Sequence, residues 1–269
     1  MATKTKATGQ APSHAKASRG IQSIEVGGEL LKALVRHGRP MCLKDLAAAA
    51  GLPAARAHPY LVSFCKVGLI EQDQATSHYR LGSLAIEAGL ISLQHVDPVR
   101  LASDELPALA TAMRCTVSLA VWGELGPVIV RVEAGPTVVH VVMRHGTPAS
   151  LRYTGTGKVF AAFVPPQILL EALEREPNSG RQTASDFLLE LENIRQNGIS
   201  TVQDELLPGV SAMAVPVFDA FGKLVMAIAA IAPNRLLDLD LQGPQAQAIK
   251  RIGAAISRKL GYSKASAAP

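Results

Sequence analysis

Three residues, Gly51-Leu52-Pro53, are all that separates two stretches of helix-forming sequence. Before them, residues 43–50 are alanine-rich and stop at a glycine. After them, Ala57, Leu61 and Phe64 recur at i, i+4 and i+7, which lays one apolar stripe along a helix. Pro53 suits the first turn of that helix, where a missing N–H costs nothing. So short a connection implies helix, tight turn, helix. Upstream, Ile24, Leu30, Leu31, Leu34 and Val35 recur at helical spacing until His37-Gly38-Arg39-Pro40 stops them. Downstream, residues 69–72 and 78–81 read as two short strands around the polar turn 73–77. Residues 21–82 are therefore expected to form a three-helix core with a β-wing, behind a disordered basic tail at 1–20.

One letter resists this scheme. Pro59 stands inside the third helix, where proline removes a backbone donor and clashes with the carbonyl four residues back, at a cost of about 3 kcal/mol. Either the helix continues with a kink, leaving the carbonyl of Ala55 without its bond, or His58 turns extended and a shorter helix restarts at Pro59. The apolar stripe crosses the proline without a phase break, which fits the kinked helix.

Charge divides unevenly along the chain. Residues 1–82 carry eleven Lys and Arg against five Asp and Glu, a balance of +6, while residues 83–269 carry sixteen against seventeen, a balance of −1. No acidic residue precedes Glu25. A polyanion partner for the N-terminal third follows, with a basic tail kept only for solubility as the alternative. The longest apolar run, residues 224–232, is nine residues, strand length and about half of what a membrane-spanning helix needs. The N-terminus lacks the apolar core of a secretory signal, so a cytoplasmic protein is expected. Cys42, Cys65 and Cys115 show no paired spacing of a disulfide framework or zinc site.

Residues 83–95 (SLAIEAGLISLQH) are apolar almost all round, and such a helix has to be covered on two faces. It is either buried within one chain or paired with a copy. After Asp97-Pro98 an amphipathic helix fits 99–113, followed by strands at 116–122, 127–132 and 138–143. Helices fit 158–163, 168–176 and 185–196. A second strand pair, 212–218 and 223–232, precedes a closing helix at 242–260. Strands flanked by helices give an α+β domain at 98–262, with a short tail at 263–269.

The stretches LKDLAAAAGLPAARAH, YLVSFCKVGLIEQD and HYRLG in the N-terminal third resemble the IclR family of bacterial transcription regulators. GTGK (155–158), IRQNGIS (194–200) and DELLPGVSAMAVPVFD (204–219) are similar to that family's effector-binding module, which is itself similar to GAF-type ligand domains. The likeness runs from about Gly20 to Tyr262. It implies a winged helix-turn-helix, a linker and dimerisation helix at 83–97, and an effector-binding domain. The helix beginning near Pro53 would lie in the major groove, with the wing beside it. By position, Ala54, Ala55, Arg56, Pro59, Tyr60 and Ser63 fall on the DNA-facing side, with Lys44 and Arg80 as flanking cations. Arg56 is the candidate for bidentate contact with guanine, and Tyr60 and Ser63 for phosphates. The family usually carries a basic residue after the histidine matching His58, so Pro59 departs from its pattern and removes one such contact. The linker helix would pack against its copy in a homodimer or homotetramer reading half-sites about 34 Å apart.

The family's ligand-lining positions fall on Val138, Val141, Ala149, Gly155, Thr156, Val202, Val210, Ala212, Ala229 and Ile231. Aliphatic side chains replace the polar groups of several members at the last few, which implies an effector with substantial apolar surface. A small aromatic or short-chain organic acid fits, its carboxylate at the amides of Gly155, Thr156 and Gly157.

Other chemistry is absent or incomplete. GTGK is not a nucleotide-binding loop, since such a loop needs glycine where Arg152 stands and Ser or Thr where Val159 stands. Asp204 and Glu205 are adjacent, and neighbouring carboxylates in a strand face opposite ways, so they read as structural or loop-capping groups. His140 and His145 make no metal set with Cys115. No cofactor is expected. The expected function is DNA-binding transcription regulation under a small organic acid. The rivals are a sensor with an N-terminal protein-docking module and a small-molecule enzyme with an accessory module.

Overall fold

The computed structural model describes residues 20–136, 144–177 and 182–263. The chain divides into two compact units at Glu87/Ala88. The strand expected at 138–143, with Val138, His140 and Val141, lies outside the described residues, as do most of the tails.

In the first unit, α1 (Gln22–His37), α2 (Leu43–Ala49) and α3 (Ala54–Lys66) enclose a core of Leu30, Ala33, Leu34, Leu46, Ala47, Ala57 and Leu61. Within α1, Ile24 and Val35, expected on the inward line, are exposed. The buried residues are Gly27, Leu30, Ala33 and Leu34, so the inward face is centred away from Leu31, and 24 and 35, on Leu31's far side, fall at its solvent border. Gly38 ends α1 in the left-handed conformation (φ +69°) with its N–H on the Leu34 carbonyl. Strands β1 (Ile70–Gln72) and β2 (Tyr79–Leu81) pair antiparallel as the wing. Met41 and Tyr79 exchange both backbone hydrogen bonds, tying the α1–α2 connection to β2. Helix α4 (Ser83–His95) follows with no buried residue.

The second unit is a five-stranded antiparallel sheet covered by helices on both faces. Its order is β4 (Gly126–Glu133), β3 (Thr116–Gly123), β7 (Leu224–Pro233), β6 (Val210–Phe218), β5 (Ser200–Gln203). The nine-residue apolar run is the central strand β7, and burial on both faces explains why it does not alternate. One face packs α5 (Pro98–Ser103), α6 (Leu106–Met113) and α10 (Pro244–Lys259) against Val117, Leu119, Met213, Val215, Ile228 and Ala230. The other packs α7 (Gly155–Phe163), α8 (Pro166–Arg175) and α9 (Ala184–Asn197) against Ala120, Ala214, Ala227 and Ala229.

Two expectations are corrected. The single helix over 99–113 is two, α5 and α6, broken after Ser103. Pro107 stands four residues beyond Ser103 and can neither donate to its carbonyl nor avoid it. The second correction is β5, which the polar sequence STVQ does not announce and which forms by pairing with β6.

Candidate functional site

The exposed face of the first unit is built on α3. The helix is continuous from Ala54 to Lys66 with Pro59 inside it, so the shortened-helix alternative is not adopted. Ala55, whose carbonyl loses its helical bond, is exposed, and water can satisfy that oxygen. Ser63 donates its hydroxyl to the Pro59 carbonyl at 3.0 Å. Ala54, Ala55, Arg56, Pro59 and Ser63 are exposed along this face, and Lys44 on α2 is exposed as well. Arg80 is exposed on the wing, where Nη2 lies 3.1 Å from Glu71 Oε2, its cross-strand neighbour. An exposed pair of this kind is worth at most about 1 kcal/mol, so a phosphate can take its place.

Tyr60 departs from expectation. It is half-buried and packs against the hydrophobic core, with its ring next to Gly27 of α1. Positions 57, 60, 61 and 64 follow i, i+3, i+4, i+7, so Tyr60 belongs to the inward stripe rather than the outward face.

In the second unit, the first turn of α7 forms one wall of a cavity of about 110 Å³. Thr154 is the N-cap, its hydroxyl oxygen accepting from Gly157 N–H at 2.9 Å. The glycines therefore lie inside the helix, three residues earlier than the sequence places its start. The Gly157 amide is occupied by this cap and does not line the cavity, so the three-amide cradle is reduced to Gly155 and Thr156. Those two N–H groups and the Thr156 hydroxyl, on a residue only 5% exposed, have no hydrogen-bond partner among the described residues. Unpaired donors at a helix N-terminus, where the backbone dipoles place partial positive charge, favour an anionic or acceptor group.

Of the other expected lining residues, Ala149, Val202, Val210, Ala212 and Ile231 line the cavity. Ala229 does not; it is 1% exposed and packed in the core beneath α7. Residue 229 faces the helix layer directly, opposite Ala214 and Ser118 in the sheet. Sequence reasoning passes over Ile129, Thr147, Pro148, Tyr153, Thr154, Glu205, Leu206 and Leu207, which complete the wall. Tyr153 and Thr154 adjoin the GTGK motif, and Glu205 to Leu207 lie in the quoted DELLPG stretch, so the signal is proximity to motifs already noticed.

Asp204 and Glu205 do not sit in a strand. Asp204 follows β5 with φ +60°, and its carboxylate accepts from Gly209 N–H at 2.5 Å and from Asn234 Nδ2 at 3.0 and 2.9 Å. The Asn234 amide, then the Gly209 N–H, hold its carboxyl below the usual range. Asp204 is thus a loop cap. Glu205 accepts from Lys158 Nζ at 2.6 and 2.8 Å and borders the cavity. Lys158, 1% exposed, also donates to Glu190 Oε1 on α9 at 2.6 Å.

Among the described residues no cluster of three or more His, Cys, Asp or Glu is placed to hold a metal ion, and no helix is long and apolar enough to cross a membrane.

Comparison with known proteins agrees with this geometry. Residues 23–74 match the IclR helix-turn-helix domain and residues 91–258 the bacterial transcriptional regulator IclR C-terminal domain. The glycerol operon regulatory protein of Streptomyces griseus is 30% identical over 254 residues, covering 92% of this chain and 99% of that protein. Its counterpart from Streptomyces coelicolor is 29% identical over 253 residues, covering 92% and 99%. Among solved structures, Pseudomonas aeruginosa HmgR is 35% identical with a TM-score of 0.83, covering 91% of this chain and all of that one. The Agobacterium tumefaciens repressor BlcR shares the fold, with a TM-score of 0.73 at 21% identity over 92% of this chain and all of that one.

Proposed function

The chain belongs to the IclR family of bacterial transcription regulators, and from that premise we infer that its first unit reads operator DNA with α3 while its second binds a small organic acid. The protein is a DNA-binding regulator and not an enzyme. In the DNA reading, Arg56 contacts guanine while Ser63, Lys44 and Arg80 hold phosphates, and Pro59 stands where a further cation would add to the grip. Tyr60 supports α3 from behind.

The effector reading rests on one observation above the others. The Thr156 hydroxyl and the amides of Gly155 and Thr156, without a hydrogen-bond partner among the described residues, border a cavity whose remaining walls are mostly aliphatic. That combination suits a carboxylate on an apolar body, an aromatic or short-chain acid. A homodimer or homotetramer in the cytoplasm completes the proposal. Its support is α4, where Leu84 and Ile91 on one side and Ile86, Leu90 and Leu93 on the other are all exposed, apolar surface that pairing with a copy would cover. Effector binding would then bias the spacing of two DNA-reading modules.

Two measurements test this. In gel-shift titrations on the DNA upstream of its own gene, Arg56→Ala is expected to weaken specific binding by about 1–3 kcal/mol. Unaltered binding would favour the protein-docking alternative. In a thermal-shift panel, stabilisation by benzoate-like or short aliphatic acids is expected, and stabilisation by sugars or nucleotides alone would sink the effector class.

A further inference from the structure

Lys158 is a fully buried cation held by two carboxylates that come from different places. Glu190 belongs to α9, and Glu205 belongs to the loop 204–209 that borders the cavity. We propose that Glu205 is a releasable latch, holding the 204–209 loop closed over the cavity until it lets go of Lys158. The proposal rests on reading the cavity as the effector site, and adds to it how that site opens.

Three features carry it. The first is charge accounting at Lys158. A buried ammonium stripped of its only partner is strongly destabilising, which normally makes such a pair permanent. Here Glu190 remains at 2.6 Å when Glu205 leaves, so the cation is never left bare, while Glu205, already one-third exposed, passes into water. The second is the packing of the loop. Leu206 and Leu207 line the cavity yet are 56% and 44% exposed, so opening forfeits little buried apolar surface. The third is the pair of hinges. Asp204 (φ +60°) and Gly209 (φ +80°) are both left-handed and bracket the loop, and the Asn234 amide pins Asp204 to the end of β7. A segment anchored at both ends, thinly packed between them and tied to α7 through the Glu205–Lys158 ion pair is built to open locally.

The test is peptide-resolved amide hydrogen exchange over residues 205–210 in the full chain without ligand, with β6 and β7 as internal references. Glu205→Gln is expected to speed exchange in the loop by about tenfold with the reference strands unchanged. Glu190→Gln is expected to slow it, because Lys158 then depends on Glu205 alone and the latch tightens. A merely structural cluster would respond in the same direction to both substitutions. Loop exchange unchanged in Glu205→Gln, or unchanged or faster in Glu190→Gln, overturns the proposal. Should Glu205→Gln fail to fold, the Glu190→Gln arm decides alone. No ligand enters the measurement, so a negative thermal-shift panel would refute the effector class without touching the latch.

Discussion

Thr154 and Gly157 are joined by a hydrogen bond of 2.9 Å from the glycine amide to the threonine hydroxyl, and that bond seats the first turn of α7 against the backbone of Ser150. A Cβ at position 157 would stand 1.8 Å from the Ser150 carbonyl oxygen. Ser150 cannot easily retreat, since its hydroxyl and the Leu151 amide are both held by the Glu176 carboxylate. Gly157→Ala is therefore expected to destabilise the second unit by about 3 kcal/mol or more. Thr154→Ala, which removes only the cap, should cost about 1 kcal/mol. Urea unfolding of both variants checks the order.

At Pro59 stability and DNA affinity separate. Restoring the N–H with Pro59→Ala is expected to stabilise the first unit by about 1–2 kcal/mol, the helix gain being offset in part by a freer unfolded chain. Pro59→Arg adds a cation to the exposed face, and should tighten operator binding and steepen its logarithmic salt dependence by about one unit. Gel-shift titrations at several salt concentrations, beside thermal unfolding, distinguish the two effects.

Burial pushes the Cys115 thiol up to about 11, against an ordinary value of 9.0. In the folded protein at pH 8 it should resist iodoacetamide, reacting only when urea exposes it, while half-buried Cys42 and Cys65 react first. The same shift has a stability consequence. Between pH 9 and 11 the unfolded chain loses this proton before the folded one does, so stability falls across that window. Mass spectrometry after timed labelling, and unfolding curves at pH 8 and 10.5, check both statements.

The wing turn is organised by Asp73, whose Oδ1 accepts from Thr76 N–H at 2.8 Å, Ala75 N–H at 2.9 Å and the Thr76 hydroxyl at 3.0 Å. Those bonds, the Thr76 amide first, hold its carboxyl below the ordinary 3.8. A depressed carboxyl stabilises the fold above the unfolded value, and loses that contribution as pH falls through the folded one. The wing is therefore expected to keep its turn at pH 4 and loosen only below 3.8. Nuclear magnetic resonance of the Ala75 and Thr76 amides through an acid titration follows it directly.

Periodicity makes most elements legible in advance. The stripes of α1 and α3, the wing and the central strand β7 all announce themselves by spacing or by composition. Tyr60 is misplaced because a hydroxyl-bearing aromatic on the edge of an apolar stripe is ambiguous until its neighbour, Gly27 on α1, is known. The break after Ser103 is readable in principle from Pro107, though an unbroken apolar pattern conceals it. The N-terminal turn of α7 is legible as a glycine-rich entry to a helix. Which of its amides stay free depends on Thr154, whose capping role shows only once the helix begins at Gly155.

What the amino-acid sequence determines alone is local and periodic: where helices start and stop, which strands are apolar on both sides, and that positive charge gathers ahead of residue 83. Tertiary structure decides where distant residues meet. Glu190 and Glu205 lie 32 and 47 positions from Lys158, and no spacing rule relates them. They converge because small residues on one sheet face let α7 pack closely, burying a lysine that then needs carboxylates from whatever elements surround it.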